Sequence, residues 1–323
     1  MSIQLVNPRT GAPLRSEGDC LVDTAGHRFL RQAGVYRMVA GLNYTENFGF
    51  QWNKFTRTQI DTAGQSTQSR DRFFAETNWT AEDLSGKCVL EVGSGAGRFS
   101  QVVLDHTPAT LYSVDYSAAV EANFRNNSHH GDRLHLFQAS IYELPFASGS
   151  FDQVFCFGVL QHTPDFEASV RALIQQAKPG GEIVVDFYPI KGWWTKINAK
   201  YLLRPFTKRI SNDRLLRLIE SNIEWLLALH VFMHRIGLGL LTRFLPVCNI
   251  TESFPPTLSH LERREWAILD TFDQYSPEHD HPQRIADVAA MFERQGARVT
   301  FSGFVNYGPG MDAAVVRGVR RSP

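Results

Sequence analysis

The sequence is poor in cysteine and carries no excess charge of either sign. Its 323 residues include 4 cysteines, and 33 Lys and Arg residues balance 33 Asp and Glu residues. The cysteines, at positions 20, 88, 156 and 248, are scattered without pairs. This excludes a disulfide framework and favours a reducing, cytoplasmic location. The neutral balance argues against a protein that binds nucleic acid through a basic surface.

Long uncharged apolar runs are also missing. The most apolar stretch, residues 225–241, contains His230, His234 and Arg235 and is therefore a poor transmembrane span. The segment after Met1 has neither a basic start nor an apolar core, so no signal peptide is expected. Length and composition predict one large globular domain with additions.

A glycine-rich stretch organises the rest of the pattern. Apolar residues 88–90 predict a buried strand, glycines at 93, 95 and 97 turn the chain, and apolar residues at 99, 102 and 103 follow at helical spacing. Glycine suits such a turn because it accepts φ > 0 and lets a ligand approach the backbone. This is not the dinucleotide fingerprint G-x-G-x-x-G, because Arg98 occupies the third glycine position. An ordinary strand-to-helix turn is one alternative.

The spacing Glu91-x-Gly93-x-Gly95-x-Gly97 resembles the cofactor loop of class I S-adenosylmethionine-dependent methyltransferases. Later blocks follow the same family's order: a strand ending at Asp115, the Leu144–Phe146 motif, a strand at 151–157, and a fifth strand after residues 178–181. The resemblance covers about residues 85 to 190. It implies S-adenosyl-L-methionine as the cofactor and no metal.

The resemblance also implies which residues hold the cofactor. Asp115, about 20 residues beyond the loop, is placed to accept hydrogen bonds from both ribose hydroxyls. The full expected set is Glu91, Gly93, Ser94, Gly95, Gly97, Asp115, Tyr116, Ser117, Ser140, Ile141, Tyr142, Phe157, Gly158 and Trp52. Ser140 departs from the family, which usually has an adenine-binding acid there. A hydroxyl accepts that bond more weakly, so adenine recognition would lean on backbone groups and on stacking by Tyr116 or Tyr142.

The expected fold is a doubly wound, seven-stranded, mostly parallel sheet of the Rossmann-like methyltransferase type, with an N-terminal β-ribbon and a helical cap insertion. We divide the chain into a ribbon (1–40), an aromatic lid or helical segment (41–84), the cofactor-binding core (85–190), the cap (191–265) and the C-terminal part of the sheet (266–323). The ribbon resembles a zinc ribbon, but Asn7 and Thr10 stand where cysteines would bind zinc, so a metal-free ribbon is expected.

Two additions have alternative interpretations. The aromatic residues of 42–80, Trp52 among them, either pack on the sheet edge or close over the cofactor as a lid. In the cap, eight Lys and Arg residues between 191 and 217 face only Asp213. They form either a solvated helix face or, with Trp193 and Trp194, a surface for an anionic substrate or membrane.

His162 is the first candidate for the general base, because it follows the fourth strand and has an ordinary pKa near neutrality. The alternative is that it only shapes the turn Gln161–Pro164. Asp273, Tyr275, His279 and His281 are reserve candidates in a polar loop after the cap. His279 and His281 lack an obvious third ligand for a metal.

The favoured function is methyl transfer to an O or N atom of a small molecule such as a sugar, a glycolipid precursor or a secondary metabolite. A non-catalytic cofactor-binding scaffold and a nucleic-acid methyltransferase are the alternatives. The expected partners are therefore a small-molecule acceptor and no nucleic acid, with possible weak contact of 191–217 with an anionic membrane surface. The sequence predicts no oligomeric state.

Overall fold

The computed structural model describes residues 3–39, 41, 43–61, 67–250 and 258–322. Every predicted segment except the cofactor-binding core has a few residues outside these ranges. The described residues form eleven strands: β1 Arg15–Glu17, β2 Cys20–Val22, β3 Arg28–Gln32, β4 Val35–Arg37, β5 Cys88–Val92, β6 Thr110–Asp115, β7 Leu134–Gln138, β8 Phe151–Cys156, β9 Ala177–Phe187, β10 Ala297–Gly308 and β11 Met311–Arg320.

The α-helices of the described residues lie on both sides of this sheet and in the cap. They are α1 Glu46–Lys54, α2 Gln68–Thr77, α3 Arg98–His106, α4 Val120–Asn127, α5 Phe166–Gln176, α6 Ala199–Thr207, α7 Asn212–Arg235, α8 His260–Tyr275 and α9 Ile285–Arg294. Their starts follow local capping chemistry where the sequence provides it. The Asp165 side chain accepts from the Ala168 N–H at the start of α5, and Ser259 with Glu262 forms a capping box on α8.

The strands form one sheet in the order β1-β2-β3-β4-β7-β6-β5-β8-β9-β11-β10. The six neighbouring strands β4, β7, β6, β5, β8 and β9 pair in parallel. Strand β11 is antiparallel to both β9 and β10. The mostly parallel, doubly wound core is thus confirmed. The count of seven strands is wrong for the whole sheet, because β4 pairs with β7 and joins the N-terminal strands to the core sheet. The predicted ribbon is therefore an extension of that sheet.

The sheet is covered on both faces because its central strands are apolar on both sides. Leu90 and Val92 of β5 belong to one buried cluster, whereas Val89 belongs to another. Since successive side chains of a strand point to opposite faces, the two clusters lie on opposite sides of the sheet. Phe73 of α2 is fully buried in the second cluster, against Phe155 of β8. This contact fixes α2 over the sheet.

The cap has its own apolar cluster, in which Leu216 and Ile223 of α7 and Leu269 and Phe272 of α8 are buried together with Phe55. Helix α6 contains Pro205 and continues through it to Thr207. Proline lies only two residues before the helix end, which confines the disruption to the last turn. Among the described residues, no helix is long and apolar enough to cross a membrane.

A buried carboxylate joins the cap to the loop after α8. The side chain of Asp280 is 2% exposed, and Lys200 Nζ lies 2.7 Å from its Oδ2. Arg204 Nε lies 3.9 Å from the same oxygen, and its guanidinium donates to the carbonyl oxygens of Gln274 and Pro277. These two cations are therefore not part of a solvated basic face. The other six, at 191, 196, 208, 209, 214 and 217, are exposed.

Asp280→Ala should destabilise the protein by about 3–5 kcal/mol, because it leaves two buried cations without their shared anion. The free energy of unfolding in urea measures this. Glu17→Ala is the matched control, since Glu17 pairs with Arg15 at an exposed site and should cost less than about 1 kcal/mol. Equal stabilities of the two variants would show that Asp280 does not hold α6 in place.

Candidate functional site

At each glycine of the loop after β5, a Cβ atom would meet a different neighbouring side chain. A Cβ on Gly93 would lie 2.2 Å from Val159 Cγ2, and one on Gly97 would lie 2.3 Å from Asn123 Oδ1. Both also have φ +84°, which side chains rarely adopt. A Cβ on Gly95 would instead meet Trp52 Nε1 at 3.1 Å, and both residues line the cleft. Gly93 and Gly97 therefore build the turn, and Gly95 lets the loop backbone approach Trp52 closely at the cleft wall.

Asp115 ties this loop to the next strand. Its Oδ2 accepts a 2.8 Å hydrogen bond from the Gly95 N–H, and its Oδ1 accepts from the backbone N–H and hydroxyl of Ser117. Burial raises the pKa of Asp115, and these three bonds oppose that shift because they favour the carboxylate. Asp115 also lines the cleft, so its remaining acceptor capacity is available to a ligand.

The cleft has a volume of about 550 Å³, within the usual size range for a cofactor site. It lies at the carboxyl ends of β5, β6, β8 and β9. Of the residues predicted to hold the cofactor, those lining it are Trp52, Gly93, Ser94, Gly95, Asp115, Tyr116, Ile141, Phe157 and Gly158.

Glu91 lies outside this lining set. It is 2% exposed and accepts hydrogen bonds from the hydroxyls of Ser100 and Ser113, behind the glycine loop. Burial raises its pKa to about 7, and the two serine hydrogen bonds oppose that rise. In this structure Glu91 supports the loop from within the core rather than facing a ligand.

Gly97, Ser117, Ser140 and Tyr142 also lie outside the lining set. Ser140 Oγ accepts from the Tyr142 N–H, and the Tyr142 hydroxyl donates to the Asp165 carbonyl, which places this ring toward α5. Among the adenine-stacking candidates, Tyr116 lines the cleft and Tyr142 does not. The centroid of the Tyr116 ring lies 5.5 Å from the centroid of the Tyr44 ring.

The N-terminal aromatic segment contributes to the cleft wall. Tyr44, Phe48 and Trp52 line the cleft, and the Asn43 side-chain amide donates to the Tyr116 carbonyl oxygen at 3.2 Å. This segment lies opposite the glycine loop, which is the position expected of a lid. The predicted alternative, core packing at the sheet edge, applies to Phe73 and Trp79 further along the chain.

His162 lies in the cleft with one ring nitrogen free. Its Nδ1 is 3.1 Å from the His279 carbonyl oxygen, an acceptor, so Nδ1 carries the proton and Nε2 bears the lone pair. Nε2 makes no hydrogen bond within the described residues and lies 4.0 Å from Asp273 Oδ2. Burial lowers the pKa of His162, against the opposing effect of Asp273, so the ring is neutral at pH 7.

Acidic and phenolic groups surround His162. The Tyr188 hydroxyl donates to Asp273 Oδ2 at 3.1 Å, and the Gln51 amide lies 3.5 Å from Oδ1. Asp270 accepts from the Gln59 side chain at 3.1 Å, and burial together with the nearby Asp273 charge raises its pKa to about 7. This end of the cleft can therefore accept protons and hydrogen bonds from a bound acceptor.

The other reserve candidates are not brought into the cleft. Tyr275 is 3% exposed and packs in the apolar cluster of the cap. His279 contributes its carbonyl to His162, and its ring stacks on that of His281 with centroids 5.7 Å apart. Within the described ranges, no third metal-ligating side chain joins this pair.

Several residues that line the cleft were not predicted from the sequence. Asp186 and Tyr188 alternate at the end of β9, so the strand-end rule that found Asp115 could have found them. Asp186 accepts from the Gly158 N–H and from Arg72, which also pairs with Glu76. Arg98, noted only as an interruption of the glycine pattern, also lines the cleft. Burial and the Arg72 charge lower its pKa to about 10.

Comparisons with known proteins identify the central part of the chain. Residues 90–185 match a family model described as a methyltransferase domain. The tRNA U34 carboxymethyltransferase of Nautilia profundicola is 32% identical over 112 residues, covering 34% of this chain and 37% of that protein. The enzyme of the same name from Pseudoalteromonas translucida is 30% identical over 190 residues, covering 55% and 52%. The chain thus spans about a third to a half of these relatives.

A solved structure supports the fold alone. A chain from the complex between the Haloferax volcanii Trm112 methyltransferase activator and a methyltransferase superposes with a TM-score of 0.50 at 11% identity, covering 85% of this chain and 98% of that one. The domain match, rather than this superposition, shows that residues 90–185 form a methyltransferase domain. S-adenosylmethionine is the cofactor of that domain.

The residues of the cleft fit this cofactor. Asp115 can accept from a ribose, Tyr116 and Ile141 offer an apolar wall for a purine, and the Gly95 backbone lies in the cleft wall. When bound, the sulfonium supplies an activated methyl group. The expectation that no nucleic acid is involved is contradicted by relatives named for a tRNA. Net charge was a poor criterion for nucleic-acid binding, because it averages over the whole surface. Six exposed Lys and Arg residues lie between 191 and 217 in a chain that is neutral in total.

Gly95→Arg should abolish binding of S-adenosylmethionine, because the new side chain would push against Trp52 and occupy part of the cleft beside the loop. Calorimetric titration measures binding, and circular dichroism checks the fold. Gly86→Arg is the matched control: Gly86 also has positive φ, +68° against +53°, but nothing lies within 4 Å of its Cβ position. Normal cofactor affinity in folded Gly95→Arg would place the cofactor elsewhere.

Asp115→Ala should weaken cofactor binding by about 1.5–3 kcal/mol, the range for hydrogen bonds to a charged group. Asp115→Asn keeps the shape and one acceptor oxygen and should lose less. The same titration distinguishes the two variants. If both bound the cofactor as tightly as the unaltered protein, Asp115 would serve only to hold Gly95 and Ser117.

Proposed function

We propose that this protein transfers a methyl group from S-adenosylmethionine to a nucleobase of RNA. The observation that carries the acceptor class is the similarity to enzymes named for tRNA U34. One of these alignments covers 55% of this chain and so extends beyond the residues of the domain match. The cap surface supports the proposal, because its exposed Lys and Arg residues can neutralise phosphates.

His162 is our candidate for proton transfer. A base in the cleft must be unprotonated and free of competing hydrogen bonds. The proposal is supported by the His162 ring, because Nδ1 is held by the His279 carbonyl and Nε2 has no hydrogen-bond partner among the described residues. Asp273 stabilises the imidazolium that forms, and Tyr188 holds Asp273. His162 is therefore proposed as the general base and Asp273 as a positioning residue.

The shape of the cleft limits how RNA can be bound. The lid residues Tyr44 and Trp52, together with Lys200 of the cap, line the same cavity as the glycine loop. A base stacked in a duplex cannot reach such a cavity, so the target must be single-stranded or turned out of its helix.

A small-molecule acceptor is a second candidate. It is favoured by the same enclosure, because a cavity of about 550 Å³ closed by lid and cap excludes water around a small acceptor. A cytoplasmic location accompanies either acceptor and is supported by four unpaired cysteines, three of them buried.

The acceptor class is tested by incubating the protein with methyl-labelled S-adenosylmethionine and two pools, total small RNA and small metabolites, from the same cells. We expect label in the RNA, lost after ribonuclease treatment. Label only in the metabolite pool would reject the RNA proposal and leave the second candidate.

His162→Ala should lower turnover about 10²–10⁴-fold while cofactor affinity stays constant, as expected for loss of a general base. Burial lowers the pKa of His162 from its ordinary value of 6.5. The ring therefore becomes protonated only when the pH falls below that value. The rate of the unaltered protein should therefore be flat through neutrality and fall only at more acid pH. Rates measured against pH for the protein, His162→Ala and the exposed-site control His106→Ala test this. An unchanged rate in His162→Ala at every pH would remove it from the mechanism.

A further inference from the structure

A second hollow opens beside the cleft. It has a volume of about 460 Å³ and shares Pro189 and Asp312 with the cleft lining. Its other walls are Ile190, Lys191, Arg284, Ile285 and Phe304. A ligand that extends out of the cleft past Pro189 would therefore enter this hollow.

Backbone pairing places two cations side by side at this hollow. Pro189 forms a parallel bridge with Gln283, the Ile190 N–H donates to the Gln283 carbonyl at 2.7 Å, and the Gln283 N–H donates to the Tyr188 carbonyl at 3.0 Å. Lys191 and Arg284 lie directly after the bridged segments. The same pairing that fixes Tyr188 in the cleft therefore fixes the positions of both cations.

The cations are largely available to an anion. Lys191 is exposed, and no described carboxylate lies within 4.0 Å of its Nζ. The Arg284 side chain is 68% exposed, and its ion-pair partner within the described part of the chain is Asp287, at 3.9 Å. Among the described residues that line the hollow, the carboxylate is that of Asp312, which also lines the cleft. It accepts a hydrogen bond from the Asn306 side-chain amide. A phosphate is therefore favoured on the Lys191 and Arg284 side.

An aromatic face completes the hollow. Phe304 lies on the edge strand β10, is 50% exposed, and has the Lys191 ammonium 5.7 Å from its ring centroid. Half-exposed aromatic rings next to cations are the usual means of binding unpaired bases, because every base has a face that can stack. An acceptor with a phosphate beside a planar ring fits this arrangement.

We propose that the hollow binds the nucleotide next to the target base, with its phosphate between Lys191 and Arg284 and its base against Phe304. Asp312 is placed to accept from the 2′-hydroxyl of the intervening ribose, a group that distinguishes RNA from DNA. The inference rests on the proposed function and adds that the acceptor is a single-stranded segment of at least two nucleotides.

The test measures binding of a short, fluorescent, single-stranded oligoribonucleotide in the presence of S-adenosylhomocysteine. Phe304→Ala should weaken binding about 5- to 100-fold, the effect of losing one stacking platform, and Phe304→Trp should restore it. Lys191→Ala should reduce the slope of log affinity against log salt by about 0.7, the value for one phosphate contact on a single strand.

Arg298→Ala is the matched control, because Arg298 is an exposed cation at the opposite end of the same strand β10. It should bind the oligonucleotide as the unaltered protein does. Normal RNA binding by both Phe304→Ala and Lys191→Ala would overturn the subsite. If the unaltered protein transferred label to RNA from methyl-labelled S-adenosylmethionine, the proposed function would stand without the subsite. An unaltered protein that neither binds nor methylates RNA would reject both.

Discussion

The hydrogen bond from the Gly95 amide to the Asp115 carboxylate connects the two strand ends from which the whole site is built. Parallel pairing of β5 with β6 brings the ends of both strands to one edge of the sheet. The bond then holds the glycine loop against the second of them. The Cβ positions of Gly93 and Gly97 are occupied by Val159 and Asn123 of the core, whereas that of Gly95 meets Trp52, which lines the cleft. Gly95 is therefore where the loop backbone meets the lid.

Buried ionisable groups lie on both sides of this loop. Glu91 is held behind it by two serines, whereas Asp186, Arg72 and Glu76 form an ion network at the adjoining strand end. Burial raises the pKa of Glu76 to about 8, with the nearby Arg72 charge opposing that rise. Buried ionic groups of this kind contribute little net stability compared with apolar packing. Their position around the cleft is better explained by the ligand that the site has to orient.

The sequence predicted those parts of the site that depend on strand order. Asp115, Phe157 and His162 follow predicted parallel strands, and the ends of such strands must meet at one edge. It could not predict parts that depend on long-range packing. Glu91 was expected at the cofactor, but alternation along β5 turns it toward Ser113. Lys200 and Arg204 were expected in solvent, but Asp280, some 80 residues away, binds them in the interior. The pairing of β4 with β7, which joins the N-terminal strands to the sheet, has no local signature.

The most direct test of this account is a crystal structure with S-adenosylhomocysteine bound. The account predicts the ribose hydroxyls on Asp115, the backbone of Gly95 against the ligand, and the sulfur facing the end of the cleft that contains His162 and Tyr188. A nucleoside bound away from Asp115, or a sulfur turned away from His162, would contradict it.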